Sequence, residues 1–283
     1  MRHTRQSNIL LGAHMSVAGG YYKALERGDS IGCTAIQIFT KSNRQWYAKS
    51  ITQEEIERFK TLQHTLGIQV IAHASYLINC GSDDYAIEKK SVTALIHELE
   101  RCDMLAIPYL VLHPGSGKDK QRCLDKIIAN FNTIFSKYTG KTMLLLENMA
   151  GQGNTIGNDL ETLAFIRKHI HHKKHIGFCF DTCHAFTAGY DFTDDKGYTA
   201  LWKHYDDILG LEHLKAIHLN DSKKELGTHL DRHEDIGKGK IGIKAFKHIM
   251  QDKKLAHIPK ILETPKESLE DDQRNMKILY GLL

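Results

Sequence analysis

Residues 142–147 read TMLLLE and residues 176–181 read IGFCFD. Each is a short, unbroken apolar run closed by a carboxylate. Runs of this length fit a parallel strand covered on both faces, which reads as continuous rather than alternating. Further apolar runs occupy 8–14, 34–39, 68–73, 108–113, 214–219 and 259–263. His14, His73 and His113 close three runs, and Glu147, Asp181, His218 and Glu263 end or nearly end four more.

Between the runs lie amphipathic stretches of helical length, at 53–66, 86–105, 123–138, 160–171 and 243–252. Thr52 with Glu55 reads as a capping box at the start of the first. Strand–helix alternation sustained over 283 residues predicts an α/β fold, a single (β/α)8 TIM barrel, which needs about 250 residues. An open doubly wound sheet is the alternative, but Gly19-Gly20 follow His14 too loosely for its glycine-rich fingerprint. No Pro-, Gly- or Ser-rich linker divides the chain. We therefore expect one domain over 1–283, with a short N-terminal extension at 1–7.

The bulk numbers are those of an ordinary globular chain, with 41% hydrophobic and 25% charged residues and a formal charge of +4. That charge permits a polyanionic partner without requiring one. The six Cys are scattered with no C-x-x-C pair, which suggests reduced, buried thiols. No run approaches the ~20 apolar residues needed to cross a bilayer, and the N-terminal stretch lacks the ~7–15-residue apolar core of a signal peptide. We expect a cytoplasmic, intracellular protein.

In a barrel all strand C-termini meet on one face, so the residues that end the runs converge there. A lone His or Asp at a strand end is ordinarily structural. A group of carboxylates and imidazoles on apolar strands is different, because buried charge is costly unless paired or metal-bound. Two more candidates lie in the loop after the seventh run: Asp231 and His233 form an i, i+2 pair able to chelate if the segment is extended. His184, three residues past Asp181, can join them. A catalytic zinc takes about three protein ligands, so this set points to two or three ions. Imidazole with carboxylate and no Cys suits zinc or manganese better than magnesium.

The motifs around these residues resemble the endonuclease IV family, the zinc-dependent apurinic/apyrimidinic (AP) endonucleases of base-excision repair. They run nearly end to end: GAHMSVAGG at Gly12, FTKSNRQW at Phe39, HASYLIN at His73 and LHPGS at Leu112. LLLENMAGQGNTIG at Leu144, GFCFDTCHAFTAGYD at Gly177, HLNDSKKELGTHLDRHEDIGKG at His218 and LETP at Leu262 continue the series. Thr228 and Ala74 depart from common family residues without replacing a candidate ligand.

The resemblance implies a trinuclear zinc site. His73, His113 and Glu147 would hold one ion, with manganese an alternative at some sites. Glu147, as the catalytic bridging residue, would share a second ion with Asp181, His218 and Glu263, and His184, Asp231 and His233 would hold the third. His14 would stay outside the ligand set. The implied reaction is hydrolysis of the phosphodiester 5′ to an abasic site by metal-activated hydroxide, leaving 3′-hydroxyl and 5′-deoxyribose phosphate ends. Blocked 3′ ends would be trimmed at the same site. The implied partner is double-stranded DNA carrying such lesions, bound by a monomer. Arg44 and Tyr76 would enter the base stack, with Leu77 beside them. Lys41 and Lys49 flank Arg44, and Lys118, Lys120 and Arg122 form a second basic loop suited to phosphate contacts.

Two other classes remain open from the residues alone. A sugar isomerase or epimerase on a similar barrel would need only Glu147, Asp181, His218 and Glu263. A metal-stabilised damage-binding module would bind abasic DNA without nicking it. The run 169–175, rich in His and Lys, reads as a surface feature at a helix end.

Overall fold

The computed structural model describes residues 9–283, so the extension expected at 1–7 lies outside the described residues. Eight parallel strands form one sheet: β1 (Leu11–Ala13), β2 (Ala35–Phe39), β3 (Gln69–His73), β4 (Tyr109–Leu112), β5 (Met143–Glu147), β6 (Ile176–Asp181), β7 (Leu214–His218) and β10 (Lys260–Leu262). Their order is β1-β10-β7-β6-β5-β4-β3-β2. A parallel bridge between His14 and Gln37 closes the seam between the two end strands, supported by Met15 N–H donating to Gln37 O at 2.7 Å. Two short strands, β8 (Asp221–Ser222) and β9 (His233–Glu234), pair antiparallel in the loop after β7.

All eight apolar runs of the sequence thus became barrel strands. The helices α2 (Gln53–Leu66), α3 (Tyr85–Met104), α4 (Lys120–Lys137), α5 (Leu160–Lys168) and α8 (Ile243–Gln251) match the expected stretches within a few residues. Four more appear among the described residues: α1 (Tyr21–Ser30), α6 (Thr182–Ala188), α7 (Asp195–Leu209) and α9 (Leu269–Tyr280). Only half of the expected capping box at Thr52 forms. Its hydroxyl accepts Glu55 N–H at 3.3 Å, but Glu55 Oε2 takes the Thr52 hydroxyl rather than its backbone N–H. The tract at 169–175 is not wholly superficial either, since His175 is buried and stacks on Phe135 at 5.3 Å. All six Cys are free and buried. No helix among the described residues is long and apolar enough to cross a membrane.

The barrel interior follows the two-residue period of strands. Ala35, Ile71, Val111, Leu145, Cys179, Ala216 and Ile261 form a compact apolar plug, separate from the larger core between strands and helices. β1 adds no side chain to it, because a Cβ on Gly12 would lie 1.8 Å from Ala35 O. Only glycine lets β1 approach β2 closely enough to close the barrel. Two positions further along each chain, on the same inward face, stand His14, Gln37, His73, His113, Glu147, Asp181, His218 and Glu263. The plug therefore carries a polar layer at the strand C-terminal end.

Candidate metal centre

The polar layer and the adjacent loops bring all nine sequence-predicted metal candidates together in three groups with ligand atoms within 4.8 Å of one another: His73, His113 and Glu147; Glu147, Asp181, His218 and Glu263; His184, Asp231 and His233. Glu147 belongs to two of them. Its Oε2 lies 3.3 Å from His73 Nε2 and 3.4 Å from His113 Nε2, while its Oε1 lies 3.0 Å from His218 Nδ1. His218 Nδ1 is also 3.2 Å from Glu263 Oε2. Asp231 offers one oxygen to His184 Nε2 at 3.1 Å and the other to His233 Nε2 at 3.2 Å. Asp181, Cys183 and His233 also cluster, but burial first, then the charge of Asp181, push the Cys183 thiol up to about 12.

Local structure explains how the loop residues arrive. Asp181 caps α6, its Oδ1 accepting His184 N–H at 2.8 Å, so the β6–α6 turn sets these two side by side. His233 lies on β9, opposite Ser222 of β8, which makes the segment extended as the i, i+2 spacing required. Asp221 braces that hairpin by accepting N–H groups from Ser222, Gly237, Gly239 and Ile241.

The imidazoles are oriented from behind. His73 Nδ1–H donates to Ala74 O at 2.7 Å, His184 Nδ1–H to Asn148 O at 3.0 Å and His233 Nδ1–H to Glu263 O at 3.1 Å. Each leaves Nε2 facing the centre, the arrangement second partners give to metal-binding histidines. Asn148 also holds Asp181, accepting its N–H at 2.8 Å, and Asn220 Nδ2 donates to Asp181 Oδ2 at 2.6 Å. His14 sits beside the groups rather than in one. Its Nδ1 accepts from Gln37 Nε2 at 3.1 Å, its ring packs 4.4 Å from Phe39, and burial depresses its pKa to about 3, keeping it neutral.

Burial alone would discharge this site, yet mutual attraction wins. Burial lowers the His218 and His184 pKa values, but Cys179, Glu263 and Glu147 around His218, and Asp181 and Asp231 around His184, hold both well above the usual 6.5. His233 rises to about 9 against its burial, chiefly through Asp231. Burial would raise the carboxylates, but neighbouring imidazoles pull Glu147 well below its usual range and Glu263 to about 2.

The side chains fit metal ions on one further observation. His184 Nε2 and His233 Nε2 are buried without any hydrogen-bond partner, although Asp231 oxygens lie just over 3 Å away. Ligand atoms of His184, Asp231 and His233 lie within 4.8 Å of one another, near enough for one cation to be held by all three residues.

Around the rim, Tyr76 is 57% exposed, with its ring 5.4 Å from His73 and 5.6 Å from His113. Arg44 is exposed on the loop after β2, and Leu77 is half-buried next to Tyr76. Lys41 is not available to DNA. Its ammonium is buried against Glu98 Oε1 at 3.0 Å and donates to Gln45 O. Lys120 pairs with Asp159 at 3.2 Å, while Lys49, Lys118 and Arg122 are exposed. Sequence reasoning missed Gln37, Asn148 and Asn220. The register held a signal for the first, since Gln37 stands two residues after inward-facing Ala35 as His73 stands after Ile71.

A family model described as a xylose isomerase-like TIM barrel matches residues 25–280. "Probable endonuclease 4" of Chloroflexus aggregans is 44% identical over 277 residues, covering 96% of this chain and 97% of that protein. The protein of the same name from Geotalea daltonii is 45% identical over 280 residues, covering 96% and 98%. The crystal structure of endonuclease IV from Thermus thermophilus matches with a TM-score of 0.85 at 34% identity, over 96% of this chain and 98% of that one. A D-tagatose 3-epimerase-like protein, at 20% identity and a TM-score of 0.71 over 96% of each chain, shares the fold. With relatives this similar over nearly their whole length and a barrel that superimposes on theirs, the chain belongs to the endonuclease IV family and is a TIM-barrel nuclease.

Proposed function

We propose that the protein is a zinc-dependent AP endonuclease that hydrolyses the phosphodiester 5′ to an abasic site, leaving a 3′-hydroxyl and a 5′-deoxyribose phosphate. The observation that carries this reading is Glu147, whose two oxygens face two different imidazole–carboxylate groups, with a third group alongside. A trinuclear zinc site fits that arrangement, with manganese as a substitute. Closely spaced ions of this kind supply hydroxide near neutral pH and neutralise the phosphodiester and its leaving oxygen.

The chain's own residues do the rest. Glu147 fixes the spacing of two of the groups and orients the nucleophile. The backbone carbonyls behind His73, His184 and His233 keep the ring lone pairs aimed inward, so little reorganisation is needed during reaction. Tyr76 and Arg44, exposed at the rim, enter the base stack at the lesion with Leu77 beside them; a missing base lowers the cost of opening the helix there. Lys49, Lys118 and Arg122 contact phosphates. The same site trims blocked 3′ ends. We propose that the enzyme acts on double-stranded DNA as an intracellular monomer of one domain. A sugar-epimerase reading leaves His73, His113, His184, Asp231 and His233 without a task.

The test is a duplex bearing a tetrahydrofuran abasic analogue, which cannot undergo β-elimination. Cutting should require zinc, stop with chelator and leave a polymerase-extendable 3′ end. Tight binding of this duplex without cutting by the zinc-loaded protein would overturn the reading.

A further inference from the structure

We propose that Gln37 is a positioning residue of the metal centre, its side-chain amide selecting which ring nitrogen of His218 faces the carboxylates and holding Glu263 in register with it. The inference rests on the metal-centre reading above and adds a residue to it.

Gln37 is fully buried on β2, in the polar layer directly above Ala35 of the plug. Its Nε2–H donates to Glu263 Oε1 at 2.6 Å, and its Oε1 accepts from His218 Nε2–H at 2.9 Å. The amide has one consistent orientation. A carboxylate can only accept, so the NH2 group must face Glu263, the carbonyl must face His218, and His218 must carry its proton on Nε2. That leaves Nδ1 turned toward Glu147 Oε1 at 3.0 Å and Glu263 Oε2 at 3.2 Å.

His218 differs here from its neighbours. His73, His184 and His233 are anchored through Nδ1 on backbone carbonyls and present Nε2. His218 presents Nδ1 and is anchored through Nε2 on a side chain. A backbone anchor survives substitution of its residue, whereas this one does not. One amide also reaches across the seam of the barrel, tying β2 to His218 at the end of β7 and to Glu263 just after β10. Its loss would release two ligands of one group together while leaving the others' anchors intact.

The test compares wild type with Gln37→Met, which keeps the length of the side chain and removes its polarity, and Gln37→Glu, which keeps an acceptor for His218. Zinc affinity is read by competition with a chromogenic chelator, and the His218 Nε2–H by its exchange-protected 15N resonance in zinc-loaded protein. In Gln37→Met we expect one zinc to weaken by about 10- to 100-fold, the effect usual for an outer partner of a ligand, with the remaining zinc unchanged and the Nε2–H resonance lost to exchange. In Gln37→Glu the resonance should persist. A merely structural role would lower the melting temperature and leave the resonance and the zinc affinities as they were. Unchanged affinities and resonance in folded Gln37→Met overturn the proposal while sparing the metal centre; wild type that binds no zinc overturns the metal centre itself. Should Gln37→Met not fold, loss of the resonance in Gln37→Glu overturns the proposal and its persistence supports it.

Discussion

Lys41 Nζ and Glu98 Oε1 lie 3.0 Å apart with both side chains sealed from solvent, so the loop carrying Arg44 is fastened to α3 from below. Glu98 also accepts Ser75 N–H at 3.2 Å, and the Ser75 hydroxyl donates to Asn43 O at 2.9 Å. The ion pair thus ties together the loops after β2 and β3, which present Arg44 and Tyr76. Removing one partner leaves a buried charge uncompensated. Lys41→Met or Glu98→Leu should each cost about 3–5 kcal/mol of stability, and the apolar double variant Lys41→Met/Glu98→Leu distinctly less than the sum. Chemical denaturation reads both; simple additivity would show that the pair does not act as a unit.

Tyr76 offers the converse. With more than half its surface exposed, its ring adds little to folding, so Tyr76→Ala should move the melting temperature by less than about 2 °C, as exposed substitutions do. Losing a stacking platform should raise the dissociation constant for abasic duplex by about tenfold, within the ~1–3 kcal/mol of base–aromatic stacking. A variant with reduced stability and normal DNA affinity would return Tyr76 to a packing role.

Glu147→Gln is nearly isosteric but removes the charge that faces two groups at once. Nicking should fall by more than about a hundredfold, since the loss exceeds that of an outer partner of a ligand, and bound zinc should fall with it. Near-wild-type cleavage by the purified variant would exclude Glu147 from the chemistry.

The metal-free site should oppose its own metal as pH changes. The folded-state pKa of His233 is raised, from 6.5 to about 9, so its contribution to stability is complete below 6.5 and is lost as pH rises through 9. Glu263 is depressed from 4.5 to about 2, so its contribution is present above 4.5 and is lost as pH falls through 2. Chelated protein should therefore melt highest near pH 5–6. Metal must displace the imidazole protons, so the rise in melting temperature on adding zinc should grow from pH 6 to pH 9. Melting curves with zinc and with chelator at several pH values test this; a zinc effect independent of pH would contradict it.

Gly12→Ala should prevent closure of the barrel. A Cβ 1.8 Å from Ala35 O can be relieved only by moving backbone. We expect a loss of several kcal/mol, well beyond the ~1–3 kcal/mol of ordinary overpacking, seen as poor expression or a collapsed denaturation midpoint.

Much of this architecture was legible because parallel strands announce themselves. Runs such as TMLLLE are apolar on both faces, and the residue that breaks the run is the one that leaves the plug for the polar layer. The nine charged or imidazole candidates were found by residue type, which is why Gln37 escaped. An amide is not a metal ligand, and only the register that places it above Ala35 marks it. Asn148 and Asn220 escaped for the same reason, each acting through a neighbour. Helix α1 is harder to read because Gly28 interrupts its pattern. There a Cβ would meet Ile36 Cγ2 at 2.6 Å, so close helix–strand packing overrides helix propensity. Lys41 looked like a phosphate contact from its basic surroundings; its partner Glu98 lies 57 positions later on α3, a distance no local pattern bridges.

The two-residue step that stacks the polar layer on the apolar plug also governs how this chain can vary in length. Loops can gain or lose residues while the strands hold their register. One residue inserted within β5 would turn Leu146 inward in place of Glu147, one deleted would put Asn148 there, and either would drive the carboxylate toward the helix-facing core. Attempts to graft new substrate loops onto this scaffold should therefore cut beyond the last inward-facing residue of each strand, and a one-residue slip inside a strand should be as damaging as deleting its ligand.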